Sequence, residues 1–141
     1  MDFIIYNAEN SPHTKVKPGK HTPNITVCRN GGIVLNSHLL KLLEQPERVV
    51  IMEDKRYPGD FYIMPMKDPG AFTLEQPDKR GARRFLSSSL VEHMVKSIGV
   101  QAPFIVDVSE DGRKIGVCTV HALAVKKARP VNRKAKKANQ Q

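Results

Sequence analysis

One pattern of residues occurs twice in this chain, and the duplication limits the possible folds more than any other feature. Residues 31–63 read GGIVLNSHLLKLLEQPERVVIMEDKRYPGDFYI, and residues 82–117 read ARRFLSSSLVEHMVKSIGVQAPFIVDVSEDGRKIGV. Each passes from a short β-prone run through a polar capping stretch into an amphipathic helical run, then into two apolar runs separated by turn residues. Val34-Leu35 corresponds to Phe85-Leu86, Asn36-Ser37 to Ser87-Ser88 and Leu39-Leu40 to Leu90-Val91, all 51 residues apart, and the offset drifts by about four residues after the helix. An open repeat array needs about three units to bury a continuous core. Two copies are therefore expected to complete one globule between them, a pseudo-dimer within one polypeptide.

At 141 residues the chain suits a single domain, and a globule of that size buries roughly two-thirds of its unfolded surface without staples. No apolar run approaches the length of a membrane span, and the opening MDFIIYNAEN has neither a basic n-region nor a long apolar stretch. These features predict a cytoplasmic protein, or a virion protein if phage-encoded, with no membrane partner. Cys28 and Cys118 are too few for a disulfide scaffold, which agrees with a reducing compartment.

The net charge is +9, and its placement matters more than its size. Residues 126–141 hold seven of the 23 Lys and Arg and no Asp or Glu, so the first 125 residues carry 16 basic against 14 acidic groups. The body is nearly neutral and the tail is a polycation, predicted to be disordered in isolation because it cannot bury enough apolar area. Polyphosphate attracts such an arm by counterion release. An anionic protein or membrane surface, or simple solubilisation, are its other readings.

Along the chain, residues 1–24 read as an irregular N-terminal arm in which Phe3 to Tyr6 are expected to dock on the body. Residues 25–125 read as one globular domain of two repeats, 25–66 and 71–122, and residues 126–141 as the basic tail. Ile25 to Cys28 and Ile33 to Leu35 are β-prone around Arg29-Asn30-Gly31-Gly32, a tight-turn signal that puts Arg29 at a hairpin tip. Asn36 or Ser37 caps a helix bearing Leu39, Leu40, Leu42 and Leu43, and Pro46 stops it. Val49 to Met52 and Phe61 to Met64 read as strands. In the second copy Phe72 to Leu74 is β-prone, Ser89 with Glu92 forms a capping box, Leu90, Val91, Met94, Val95 and Ile98 make the buried helix face, and Gly99 stops it. Phe104 to Val108 and Lys114 to Ala122 are the last strands, with Glu110-Asp111-Gly112 as the hairpin turn between them. The fold class is α+β, mostly β.

The stretch ITVCRNGGIVLNSHLLKLL followed by RVVIMEDKRYPGDFYIMP resembles the AbrB-like swapped-hairpin family of DNA-binding transcription factors and antitoxins. Gly31, Ile33, Val34, Leu35, Leu39 and Leu43 fit the family motif. The departures are Gly32 where the family has Arg, Asn36 where it has Pro, and Glu44 where it has Gly after the helix. The second copy keeps an Arg, lacks the Gly and Pro, and has Gly99 after its helix. The resemblance implies two half-barrels, each strand-turn-strand-helix-strand-strand, that interleave into one pseudo-dimeric barrel and present basic residues to DNA.

Candidate nucleic-acid contacts are Arg29 on the first turn, the cluster Lys79, Arg80, Arg83 and Arg84 on the second, and Lys126, Lys127, Arg129, Arg133, Lys134, Lys136 and Lys137 in the tail. Long cationic side chains on exposed turns reach phosphates, and Arg forks reach base edges. Lys15, Lys17 and Lys20 could join the same surface. The aromatics fall mostly in strand patterns, which disfavours a stacking platform for single strands. Cys118-x-x-His121 has ligand-like spacing but lies in a predicted strand, where positions three apart face opposite ways. His38 and His93 fall on helices and His13 and His21 in coil, so no metal site is predicted. Ser87-Ser88-Ser89 is explained by capping, and no phosphate-binding glycine loop is present. The expectation is a non-enzymatic DNA-binding protein without a cofactor, possible regulator roles included. The alternatives are a structural component of a virion or other nucleoprotein assembly, held by its termini to protein partners, and an antitoxin-like module that wraps a protein.

Overall fold

The computed structural model describes residues 22–131. The N-terminal patch Phe3 to Tyr6, Lys15, Lys17, Lys20, His13 and His21, and Arg133, Lys134, Lys136 and Lys137 all lie outside the described residues. The first copy supplies β1 (Asn24–Val27), β2 (Gly32–Leu35), α1 (Ser37–Leu42), β3 (Arg48–Glu53) and β4 (Phe61–Pro65). The second supplies β5 (Phe72–Thr73), β6 (Arg83–Leu86), α2 (Ser88–Ile98), β7 (Phe104–Ile115) and β8 (Cys118–Leu123). A 3-10 turn (Val125–Lys127) and β9 (Arg129–Pro130) follow. β6 lies 51 residues beyond β2 at both ends, so the repeat seen in the sequence is carried into the backbone.

All the pairings are antiparallel, and the sheet runs β5-β3-β4-β8-β7-β1-β2-β6 with β9 added beside β7. The two ends of that path meet, because the Glu75 N–H donates to the Arg84 carbonyl at 2.7 Å. The result is an almost closed eight-stranded barrel, which removes most of the exposed edge that an open sheet would leave. Exchanging the two copies maps this ring onto itself. β2 pairs with its equivalent β6 and β4 with its equivalent β8, while β1 pairs with β7 and β5 with β3, each copy's first strand against the other's third. The hairpins are thus interleaved about a pseudo-two-fold axis, as expected for two half-barrels sharing one core.

The inward positions of the strands alternate with outward ones, as a two-residue period demands. Ile25, Val27, Ile33, Leu35, Val49, Ile63, Phe104 and Val106 are fully buried, and Leu39, Leu40, Val91 and Met94 bring the helices onto the same core. Phe72 stacks on Phe85 across the β5–β6 closure with ring centroids 4.3 Å apart and planes 13° from parallel. This stack fills the seam where backbone pairing is sparsest.

The helix ends show how one geometry is met by two sequences. Asn36 caps α1, its Oδ1 accepting the Leu39 N–H at 2.9 Å. The equivalent Ser87, and not Ser89, caps α2, its Oγ accepting the Leu90 N–H at 3.3 Å. The expected Ser89–Glu92 capping box therefore does not form: Ser87 leaves β6 in extended conformation and takes the cap, which places Ser89 inside the first turn. At the other end Gly99 adopts φ 82° and closes α2. In α1 the same role falls to Glu44 (φ 63°) and Gln45 (φ 55°), whose N–H groups return to the carbonyls of Lys41 (3.0 Å) and Leu40 (2.7 Å). That is the two-bond closure usually built around glycine, forced here on side-chain-bearing residues.

One turn moves. Glu110-Asp111-Gly112 lies inside β7, at a register shift between Val108 and Gly112, and the hairpin turns instead at Gly116-Val117. Gly116 (φ 63°) supplies the positive φ that a tight two-residue turn requires at its first position. Gly112 is needed for a different reason: a β-carbon there would collide with Thr119 across the hairpin.

Replacing Glu44 by Gly relieves left-handed strain, so it is expected to stabilise the protein by roughly 0.5–1 kcal/mol after the added unfolded-state entropy is deducted. Glu44→Val is expected to destabilise it. Urea unfolding midpoints of the two variants against the natural chain check both signs.

Candidate nucleic-acid interface

The two basic turns are built alike. In the β1–β2 turn the Cys28 N–H reaches the Gly32 carbonyl at 2.8 Å, Asn30 Oδ1 accepts the Gly32 N–H at 3.0 Å, and Arg29 stands exposed. In the β5–β6 turn Asp78 Oδ1 accepts the N–H groups of Arg80 (2.8 Å) and Ala82 (3.0 Å), leaving Lys79 and Arg80 exposed. The Asp78 carboxyl is held below its ordinary range, first by the Ala82 N–H. It therefore stays an acceptor that fixes the turn, and Arg80 approaches it only loosely, at 3.7 Å.

Each turn rests on the helix start of the other copy. Gly31 (φ 94°) lies so close to α2 that an added β-carbon would sit 2.7 Å from Ser88 Oγ, and Gly81 (φ 82°) faces Ser37 Cβ at 3.5 Å. Ser88 and Ser37 are themselves 51 residues apart. The pseudo-two-fold thus relates the Arg29 turn to the Lys79-Arg80 turn. Because β2 and β6 run antiparallel, with Gly32 opposite Leu86 and Leu35 opposite Arg83, the turns leave opposite ends of that short ladder, on the order of 10 Å apart along it.

The four arginines and lysines of the second cluster are not equivalent. Arg83 is only 11 % exposed and is consumed by the barrel. Its Nε donates to the Glu75 carbonyl (2.7 Å), Nη1 to the Pro46 carbonyl (3.4 Å) and Glu47 Oε2 (3.2 Å), and Nη2 to Glu47 Oε1 (3.2 Å) and the Leu74 carbonyl (3.1 Å). A guanidinium has five N–H donors, so nothing remains for a phosphate. Arg84 points outward but binds Glu75 at 2.7 Å, a bond that raises its already high pKa. Lys79 and Arg80 are the members of the cluster available to a partner.

The basic segment is likewise divided. Residues 126–131, expected to be disordered with the rest of the tail, fold onto the body. Arg129 forks onto Asp107 at 3.0 and 3.1 Å, β9 pairs with the start of β7, and the Val131 N–H reaches the Pro103 carbonyl at 3.1 Å. Strand pairing to β7, together with a half-buried Arg129 set on a carboxylate already in place, offsets the ordering entropy that composition alone cannot. Lys126 and Lys127 remain exposed on the 3-10 turn. β1 and β9 flank the same end of β7, with Val27 and Pro130 both opposite Phe104. The chain therefore reaches Val131 about two strand spacings, roughly 10 Å, from the strand that carries the Arg29 turn.

A cleft of about 640 Å³ lies between Arg29 and α2, lined also by Ser89, Glu92, Lys96 and Gln101. His93 on the same helix binds Glu53 at 2.7 Å and sets its ring edge against Phe61 at 5.9 Å, so it fastens α2 to the sheet. The Glu53 carboxyl is held below its ordinary range, first by His93 and then by the Gly59 N–H. His121 is buried with Nδ1 2.9 Å from the Ser109 carbonyl, while Cys118 sits near the hairpin tip. No group of three or more His, Cys, Asp and Glu that could hold a metal ion occurs among the described residues. No helix among them is long and apolar enough to cross a membrane.

The carboxylates that sort these cations, Glu47, Glu75 and Asp107, lie 36, 9 and 22 residues from Arg83, Arg84 and Arg129. Only Glu75 is near enough in sequence for a hairpin reading to have suggested it.

Arg83→Ala is expected to cost about 2–3 kcal/mol, because it strands carbonyls that the guanidinium satisfies. Glu47 is held below its ordinary value of 4.5, chiefly by the Arg83 hydrogen bond. A depressed carboxylate stabilises the fold above its unfolded pKa and loses that contribution as pH falls through the folded value. The stability gap between natural protein and variant should therefore narrow on acidification below about 4.5, which thermal melts at stepped pH will show. Comparison with family models, with curated proteins and with solved structures returned no match to this chain.

Proposed function

We propose that this protein is a small non-enzymatic DNA-binding protein of AbrB-like character, acting as a regulator. It grips duplex phosphates through Arg29, Lys79, Arg80, Lys126, Lys127 and the basic segment beyond Val131. The observation that carries this reading is the pair of exposed cationic turns related by the pseudo-two-fold, with the C-terminal polycation starting at the end of β7 beside one of them. Two symmetric cationic points suit the regular phosphate spacing of a duplex, whose own local symmetry is two-fold. The interleaved hairpins support the family resemblance, which is part of the same proposal. Arg83 and Arg129, taken from sequence as contacts, are assigned to the scaffold instead, and Arg84 to a lesser role.

A second reading, a structural component of a virion or nucleoprotein assembly, draws on the β7–β8 hairpin tip, where Ile115 is 55 % and Val117 is 96 % exposed. Apolar side chains held out on an arm suit a protein contact.

Mobility-shift titrations on duplex DNA, single strands and RNA at several salt concentrations test the binding reading. The slope of log K against log salt is expected to fall by about 0.9 for each phosphate contact removed. Lys79→Ala/Arg80→Ala, Arg29→Ala and deletion of residues 132–141 should each lower it. Arg83→Ala should leave it unchanged under conditions where the variant is folded. Affinity indifferent to severalfold changes in salt, or no binding at low salt, overturns the proposal.

A further inference from the structure

The β7–β8 hairpin runs on past the barrel. β1 pairs with β7 only at Phe104 to Asp107, β9 only at Phe104 and Ile105, and β4 with β8 only at His121 and Ala122. From Gly112 to Val120 each strand therefore has only the other as a strand-pairing partner among the described residues, although Val120 is buried and Lys114, Cys118 and Thr119 line a cleft with the α1–β3 connection. Among the described residues nothing pairs with the far edge of β7 there, and residues 110–117 are all exposed. An open edge is a template for another strand, and proteins commonly protect it with charge, because two identical edges then bring like charges together.

On this edge the order of charges reverses that protection. Ser109-Glu110-Asp111-Gly112-Arg113-Lys114-Ile115 is a charge palindrome, two acids and two bases mirrored about Gly112. None of the four charged side chains forms an ion pair with another described residue. We propose that this edge pairs antiparallel with the same edge of a second copy of the chain, about a two-fold axis at Gly112. In that register Glu110 faces Lys114 of the second copy and Asp111 faces Arg113, each twice, and the pairs fall on both faces of the new ladder. Directly opposed residues are the ones whose side chains interact most strongly across a sheet.

Other registers lose this. Centring on Arg113 or on Asp111 sets like charges directly opposite, and a one-residue slip pairs only Asp111 with Lys114 in one direction or only Glu110 with Arg113 in the other. Gly112, already required by Thr119 within the hairpin, leaves the axis clear of side chains. Asp111 donates its N–H to Ser109 Oγ at 3.2 Å, which leaves the alternate residues Glu110, Gly112 and Lys114 to carry the intermolecular hydrogen bonds that an antiparallel ladder takes from every second residue. The assembly would join two pseudo-dimers through their arms, isologously, and so close without propagating.

Sedimentation equilibrium of the full chain, without nucleic acid, tests this independently of the binding proposal. The natural protein is expected to show a monomer–dimer equilibrium that weakens with salt. Glu110→Lys/Asp111→Arg makes the edge all basic and Arg113→Asp/Lys114→Glu makes it all acidic. Each alone should self-associate on the order of ten-fold more weakly or worse, and an equimolar mixture should regain association as a heterodimer. The fourfold swap combining both sets restores the mirror order and should dimerise like the natural chain. Far-UV circular dichroism establishes that each variant is folded. A natural protein that stays monomeric at low salt, variants that self-associate undiminished, or a folded mixture and folded swap that remain monomeric would each overturn the proposal.

Discussion

The pairing of each copy's first strand with the other copy's third is the contact on which the rest of this molecule depends. The β1–β7 pairing sets Ile25, Val27, Phe104 and Val106 into the shared core, where all four are completely buried. At about 1.5–3 kcal/mol per side chain that is roughly 6–12 kcal/mol of gross apolar burial, comparable to the whole net stability of an ordinary domain. A single copy would expose those residues along with an open edge. The two halves share one core, and each closes its sheet against the other.

The same exchange positions the cations. Each glycine-bearing turn is seated on the helix start of the opposite copy, so the orientation of Arg29 depends on Ser88 and that of Lys79 and Arg80 on the neighbourhood of Ser37. The turns are therefore held by long-range packing as well as by their own Asn30 and Asp78 side-chain bonds. Within them a division of labour appears. Arg83 turns inward to tie the barrel seam to the α1–β3 connection, whereas its neighbours face solvent. Alternation along β6 decides this: Arg83 shares the inward parity of Phe85, and Arg84 that of the exposed Leu86.

Much of the fold could be read from the residues. The 51-residue offset, the turn chemistry of Asn30-Gly31, the capping at Asn36 and the stop at Gly99 are local signals whose meaning does not depend on distant partners. The readings that moved did so for identifiable reasons. Glu110-Asp111-Gly112 has turn composition, but Gly116 two residues past Lys114 offers the positive φ, and β8 then pairs in a register that keeps residues 110–112 extended. Ser89 has the right spacing to Glu92, but the strand before it ends at Leu86 and makes Ser87 the cap.

Two similarly patterned halves, mostly β, with a nearly neutral body, cationic turns and a polycationic end are legible in the order of residues alone. Those are properties of periodicity, turn residues and charge count, which act within a few residues of where they are written. Which of the described cations stay without a carboxylate partner follows from the folded arrangement. Glu47, Glu75 and Asp107 reach their arginines from other parts of the fold, β9 finds an edge of β7 to lie against, and a mirrored run of charges becomes meaningful only once its strand is seen to have an open side. Partner choice across a barrel is set by register and closure, and those are decided by the chain as a whole.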